Sequence, residues 1–202
     1  MEALAKTYDH LADKYHAQRG DFEITHLISD FYLALHKANG TLLDLGCGTG
    51  FPTGKFFLER GWQVHGVDIS KRMLELAERI TPEMKCIHCD MCSFSAEEAF
   101  YDGVSTIYSF FHVPLENQAS LLARITRLLK PEGKLLMTYA TEAYTGKPRF
   151  DGSMEFMGKL LYYGHETPEI LHAQLNDAGL KLLHEEDHCI GGETFRWILC
   201  EK

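Results

Sequence analysis

The chain has 202 residues, 45% of them hydrophobic and 24% charged, enough to bury the core of one globular domain. Twenty Lys and Arg against 29 Asp and Glu leave a net charge of −9 without any Lys/Arg-rich run, which speaks against a nucleic-acid surface, where clustered cations must neutralise phosphates. No stretch has the length of a membrane span, the first ten residues lack the apolar centre of a secretion signal, and the six cysteines (47, 86, 89, 92, 189 and 200) form no disulfide framework, so free thiols in a cytoplasmic setting are expected.

Residues 8–39 read as two helices, the second carrying an apolar stripe of Ile24, Leu27, Ile28, Phe31 and Leu35 with Asn39-Gly40 as its stop. From Thr41 onward, short apolar runs at 41–45, 63–67, 84–89, 104–110 and 134–139 alternate with amphipathic segments. That alternation is what a parallel sheet with crossover helices requires. Helices are expected over 70–80, with Ser70 as N-cap, and over 115–129, closed by Lys130-Pro131-Glu132-Gly133. Ser95-Ala-Glu-Glu98 has capping-box spacing for a short helical turn, and Thr167-Pro168 starts a helix that Gly179 ends. Two β-like runs, 180–188 and 194–200, flank Gly191-Gly192 and predict an antiparallel hairpin. Residues 140–166 form the one long irregular insertion. The expected organisation is therefore a single domain over 1–202: a helical cap (1–40), a ligand-binding core (41–139), the insertion as a substrate lid (140–166), and a helix with a hairpin (167–202).

The chemical signal is Leu43-Asp44-Leu45-Gly46-Cys47-Gly48-Thr49-Gly50, at the end of the first expected strand. Glycines at alternate positions let the backbone bend sharply and approach a ligand without Cβ atoms in the way. Asp44 interrupts an apolar strand, where a carboxylate is costly unless loop N–H groups or a ligand ammonium satisfy it. Asp68 closes the next strand eighteen residues after Gly50, a spacing that suits a ribose-binding acid. Dinucleotide sites use Gly-x-Gly-x-x-Gly around a pyrophosphate, and Phe51 stands where that third glycine belongs; the P-loop ending of Lys-Ser/Thr is missing as well. The turn fits a nucleoside without phosphates better than NAD or ATP.

This segment resembles the first motif of class I S-adenosylmethionine-dependent methyltransferases, and the resemblance spans most of the chain. Val67-Asp68 is similar to the family's ribose acid, and Cys89-Asp90-Met91 to its adenine-binding acid and neighbour. Tyr101–His112 resembles the fourth motif, Leu128-Leu-Lys-Pro-Glu-Gly-Lys-Leu135 the loop and strand after it, and the final hairpin the antiparallel seventh strand. The resemblance implies a Rossmann-like, doubly wound seven-stranded sheet, mostly parallel with an antiparallel C-terminal strand and helices on both faces. It implies S-adenosyl-L-methionine as cofactor, with Asp44, Gly46, Cys47, Gly48 and Gly50 along the methionine part. Asp68 would hold the ribose, Ile69, Met73, Asp90 and Met91 the adenine side, and Ser109-Phe110 would sit below the sulfonium. Tyr15, in Tyr8-Asp-x-Leu-Ala-Asp-Lys-Tyr15, resembles the tyrosine that caps the cofactor in small-molecule members.

Cys86-Ile-His-Cys89-Asp-Met-Cys92 looks like a metal motif, but a strand would send Cys86 and Cys89 to opposite faces, and no metal is expected. His112, just past the fourth strand, is the candidate catalytic base, or alternatively a histidine shaping the pocket. Among the aromatics of 139–166, Tyr139, Tyr144, Phe156 and Tyr163 are candidate substrate contacts, with Lys147, Arg149 and His165 as polar groups for an acidic substrate. An Asn/Asp-Pro-Pro-Tyr/Phe motif for methylating adenine or glutamine amino groups is replaced by Ser109-Phe-Phe-His112. The expected function is methyl transfer to a small-molecule acceptor by a monomer or homodimer, without nucleic-acid or membrane partners. The alternatives are a non-catalytic S-adenosylmethionine-binding protein and a macromolecular methyltransferase.

Overall fold

The computed structural model describes residues 2–19 and 23–202. Helices α1 (Glu2–Arg19) and α2 (Thr25–Ala34) lead into β1 (Thr41–Leu45), α3 (Thr53–Leu58), β2 (Gln63–Asp68), α4 (Lys71–Ile80), β3 (Lys85–His88) and β4 (Tyr101–Thr106). A 3₁₀ turn, Phe110–His112, precedes α5 (Leu115–Leu128), β5 (Leu129–Ala140) and the short α6 (Glu142–Thr145). The chain continues through β6 (Phe150–Phe156), β7 (Lys159–His165), α7 (Pro168–Asp177), β8 (Lys181–Ile190) and β9 (Glu193–Glu201).

Seven strands form one sheet in the order β3-β2-β1-β4-β5-β9-β8. The first five are parallel, and β9 enters antiparallel between β5 and β8. This is the doubly wound arrangement that the resemblance implies. The central strands β1 and β4 are buried almost throughout, as apolar runs covered on both faces must be. Edge strand β8 carries exposed charges and alternates with half-buried residues. Apolar cores fill both faces, with Ile28, Phe31, Phe57 and Trp62 in one and Leu121, Leu122, Ile125 and Leu175 in the other.

Several local signals act as expected. Ser70 Oγ accepts from Met73 N at 3.1 Å and starts α4, while Pro168 opens α7. Gly191 and Gly192, at φ of 62° and 83°, make the tight turn between β8 and β9. Others act differently. Helix α2 ends at Ala34, five residues before the expected stop, with His36 in the left-handed region at φ 50°. Residues 95–98 form no helix: the segment runs irregularly from the turn at 91–93 to a second turn at Glu98–Ala99, with Ala99 at φ 53°, before β4. The fourth strand is displaced N-terminally, and residues 110–112 form the 3₁₀ turn instead of its end.

The insertion is the largest correction. It is regular: β6 and β7 pair antiparallel from Phe150↔His165 to Phe156↔Lys159 in a separate two-stranded sheet. Met157 and Gly158, both at positive φ, make its two-residue turn. The outer edge of β7 is tied to the body. The Tyr162 carbonyl accepts from His112 Nδ1 at 2.7 Å, the Gly164 carbonyl accepts from Gln118 Nε2 at 3.0 Å, and Tyr162 Oη accepts from Leu115 N at 3.2 Å. No helix among the described residues is long and apolar enough to cross a membrane.

Candidate active site

Strand order reverses at β1, which lies between β2 and β4, and a crevice opens at the carboxyl ends of these strands, as doubly wound sheets dictate. The turn after β1 builds its floor. Gly46, Gly48 and Gly50 all have positive φ, 74°, 53° and 73°, but serve different ends. A Cβ on Gly46 would lie 2.3 Å from Ser109 Cβ, and one on Gly50 would lie 2.5 Å from Thr81 Oγ1. At Gly48 the nearest atom would be Met73 Sδ at 3.9 Å, so a side chain there would stand in the crevice itself. Two glycines permit packing; the middle one keeps a cradle empty. The turn is stapled to β2 by Gly46 N and Cys47 N, which both donate to the Val67 carbonyl at 2.7 and 3.1 Å.

Three carboxylates surround this turn. Asp68 Oδ2 accepts from Gly48 N and Oδ1 from Ser70 N, each at 2.8 Å, which fixes the acid at the end of β2. Burial raises its pKa despite those bonds. Asp44 is 4% exposed and accepts from Ser105 Oγ at 2.7 Å; burial pushes its pKa up to about 7, with the Ser105 bond opposing. Asp90 Oδ1 accepts from Cys92 N at 2.8 Å and holds the turn after β3.

Helix α1 closes the crevice from above. Leu4, Tyr8 and Tyr15 share the face that Leu11 and Ala12 bury, spaced as helical periodicity demands. Polar contacts seat it: Asp9 Oδ1 accepts from Ser70 Oγ at 2.7 Å and Arg72 N at 3.0 Å, and the Arg72 guanidinium pairs with Asp13. The main crevice, about 590 Å³, is bounded by Gly46, Gly48, Asp68, Ile69, Met73, Asp90, Met91, Ser109 and the α1 side chains.

His112 stands in its wall, 6% exposed. Its Nδ1 faces the Tyr162 carbonyl, which only accepts, so Nδ1 bears the hydrogen. Nε2 is then the acceptor for Tyr8 Oη, 2.8 Å away. Burial holds the imidazole pKa down at about 4, so the ring is neutral at pH 7. Both nitrogens are engaged, and His112 therefore meets the crevice through Tyr8. Behind it, Tyr163 packs at 4.8 Å between ring centroids, followed by Tyr144 at 5.5 Å from Tyr163. Phe156 reaches Tyr15 at 6.2 Å.

The crevice thus gathers Tyr15, Gly46, Gly48, Asp68, Ile69, Met73, Asp90, Met91, Ser109 and His112, while Asp44 and Cys47 line a second cavity beside the glycine turn. Tyr144, Phe156 and Tyr163 do not line the crevice, and nor do Tyr139 and Phe110. The last two are in the core on the opposite face of the sheet, 6.0 Å apart, and Tyr139 Oη donates to Gln118 at 2.7 Å. Gly50 faces Thr81 and Met84. The expected anion-recognising groups point elsewhere, Arg149 to Glu166, Lys147 to the Phe150 ring, and His165 to Thr145. Sequence reading missed Leu4, Tyr8, His16, Thr49 and Tyr108. Tyr108 alone carried a structural oddity, a left-handed φ of 56° that no sequence motif announces.

The open side of Gly48, the acid at the end of β2 and the second acid after β3 fit an adenosine-type ligand, and among the described residues no side chain blocks the cradle. Residues 43–137 match a family model described as a methyltransferase domain. An uncharacterised methyltransferase of Geobacillus kaustophilus is 29% identical over 161 residues, covering 77% of this chain and 71% of that protein. The Burkholderia thailandensis 1,6-didemethyltoxoflavin-N1-methyltransferase, solved with 1,6-didemethyltoxoflavin and S-adenosylhomocysteine, superposes with a TM-score of 0.76 at 20% identity, covering 98% of this chain and 87% of that one. A [4+2]-cyclase superposes with a TM-score of 0.74 at 16% identity, covering 98% and 94%, so the fold by itself does not name a reaction. The sheet order, the matched model and the methyltransferase relatives agree: residues 43–137 match a methyltransferase domain, and the chain as a whole is similar to class I S-adenosylmethionine-dependent methyltransferases.

Proposed function

We propose that this methyltransferase acts on a small organic acceptor, held between the cofactor crevice and the wall formed by Tyr8 and His112. The observation that carries this reading is the Tyr8–His112–Tyr162 hydrogen-bonded chain at the edge of a largely apolar crevice. The toxoflavin-precursor enzyme, whose acceptor is a small heterocycle, supports it by analogy of fold.

S-adenosylmethionine, when bound, supplies a methyl group already activated on a sulfonium sulfur. In this reading Asp68 takes the ribose hydroxyls, Asp90 with Met91 and Ile69 the adenine, and Gly46 and Gly48 leave room for the methionine part. Tyr15 covers it, and Met73, Cys47 and Ser109 complete the wall. Tyr8 gives its hydrogen to His112, so toward the substrate its oxygen acts as a hydrogen-bond acceptor for an N–H or O–H. An acceptor held this way has its own lone pair turned toward the methyl, which is the main service needed when the donor is activated. His112, neutral and weakly basic, fixes Tyr8 and does not store a proton. The hairpin aromatics Tyr144, Phe156 and Tyr163 back this wall as a fixed cover, since β7 is bonded to α5 and the 3₁₀ turn.

Single-turnover assays with a library of small amines, N-heterocycles and phenols test the proposal. Stoichiometric conversion of S-adenosylmethionine to S-adenosylhomocysteine with a methylated library member is expected. Tight cofactor binding without transfer to any member, but with transfer to an RNA or protein substrate, contradicts it.

A further inference from the structure

The edge of β7 that faces away from β6 is satisfied by side chains instead of a neighbouring strand. Alternate residues of a strand turn their backbone groups to the same edge, here Tyr162, Gly164 and Glu166. The Tyr162 carbonyl accepts from His112 Nδ1 at 2.7 Å, the Gly164 carbonyl accepts from Gln118 Nε2 at 3.0 Å, and Glu166 N donates to Tyr139 Oη at 2.9 Å. The three side chains come from the 3₁₀ turn, α5 and β5. Gln118 is the fully buried centre of the group: its Nε2 also donates to the Val113 carbonyl at 2.9 Å, and its Oε1 accepts from Tyr139 Oη at 2.7 Å. The orientation of this amide is dictated. Two carbonyls only accept, so the NH₂ must face them, and the Tyr139 hydroxyl, already accepting from Glu166 N, gives its one hydrogen to Oε1. Val113 follows His112, and Gly164 lies two residues beyond Tyr162, so one amide ties down both partners of the His112–Tyr162 bond.

We infer that Gln118 and Tyr139 are positioning residues for methyl transfer: by fixing β7 against the 3₁₀ turn they keep the Tyr162 carbonyl on His112 Nδ1, which leaves Nε2 as the acceptor and obliges Tyr8 to donate to it. This rests on the acceptor wall proposed above and adds two residues that do not line the crevice. Released from the Tyr162 carbonyl, His112 can carry its hydrogen on Nε2 instead. Tyr8 then accepts from the ring and turns its own hydrogen outward, against the N–H or O–H that the wall is built to hold. The polarity of the acceptor wall is thus set in the core, on the far side of His112.

Nitrogen NMR of the histidine rings tests this without any acceptor, the His112 signals being assigned by their loss in His112→Gln. A ring with its hydrogen on Nδ1 is expected in the unmodified protein. Gln118→Met keeps the side-chain volume and removes all three bonds; Tyr139→Phe removes one hydroxyl, keeps the packing, and serves should Gln118→Met fail to fold. In the folded variants the His112 ring is expected to become a mixture of both tautomers, with S-adenosylhomocysteine affinity within about twofold of the unmodified protein. With a methylated library member as acceptor, Tyr139→Phe is expected to lower kcat about fivefold, and to lower it no further when Tyr8→Phe is already present, because changes within one network do not add. An unchanged His112 tautomer in the folded variants, or fully additive losses of kcat, overturns the inference. A ring that follows Gln118 while Tyr8→Phe leaves kcat unchanged separates the two readings: the positioning of His112 stands and the acceptor wall falls.

Discussion

Two buried aspartates on neighbouring strands of this sheet behave in opposite ways. Asp102, near the start of β4, accepts from Thr41 N at 2.9 Å, from Lys130 Nζ at 2.8 Å and from Lys37 Nζ. Burial alone would raise its pKa, but these bonds outweigh burial and hold it below the usual carboxylate value. Asp44, at the other end of β1, is equally buried at 4% exposure, has one hydroxyl partner, and is pushed up to about 7. One carboxylate is satisfied by the fold and closes it. The other has a single hydroxyl for a partner at the end of the sheet where the crevice opens, so the fold tolerates a cost there.

Breaking Asp102 is expected to have the largest effect on stability. Asp102→Ala strips two lysines and the Thr41 N–H of their partner and should cost about 3 kcal/mol in urea denaturation, with cofactor affinity unchanged once folded. The glycines sharpen the same division. Gly46→Ala sets a Cβ 2.3 Å from Ser109 and should cost about 3 kcal/mol, whereas Gly48→Ala carries only the backbone penalty of about 1 kcal/mol. Gly48→Ala should nonetheless be the more harmful to S-adenosylhomocysteine binding measured by calorimetry, because its methyl projects into the crevice.

Asp44→Asn should do the reverse of Asp102→Ala, stabilising the ligand-free protein by about 2 kcal/mol at pH 8 while weakening the cofactor. The sign follows from protonation. Native Asp44 holds its proton to about pH 7 and the unfolded chain only to about pH 4, so the burial penalty grows as pH rises between these values and is complete above 7. Thermal melts should therefore show the gain at pH 8 and lose it towards pH 4. Smallest is Tyr8→Phe, expected to lower kcat about tenfold with S-adenosylhomocysteine affinity within about twofold, by removing the acceptor-facing oxygen and keeping the ring. An unchanged kcat would mean that the wall only excludes water.

What was legible in the sequence follows the same division. The glycine turn, Asp68, Asp90 and the central strands are local patterns, and the structure brings them together where their spacing implied. The α1 side is built from side chains far apart in the chain. Tyr8 meets His112 across 104 positions, and His16 meets Thr49 across 33, so neither contact leaves a spacing to read. In 140–166 aromatic density obscured a plain strand signal: Phe150, Gly152, Met154 and Phe156 are half-buried, with Asp151, Ser153 and Glu155 exposed between them. Tyr139 illustrates the same limit, since an aromatic residue at a strand end does not disclose which face it takes. In the Cys86–Cys92 segment burial pushes the Cys86 thiol up and the Cys92 thiol to about 11.

The most direct measurement is a calorimetric titration of S-adenosylhomocysteine into the unmodified protein and Asp68→Ala, with folding of both verified by circular dichroism. Asp68 is anchored by Gly48 N and Ser70 N in the centre of the crevice, so its removal should weaken binding by tenfold or more. Near-equal affinity of the two proteins would contradict the placement of the cofactor in this crevice.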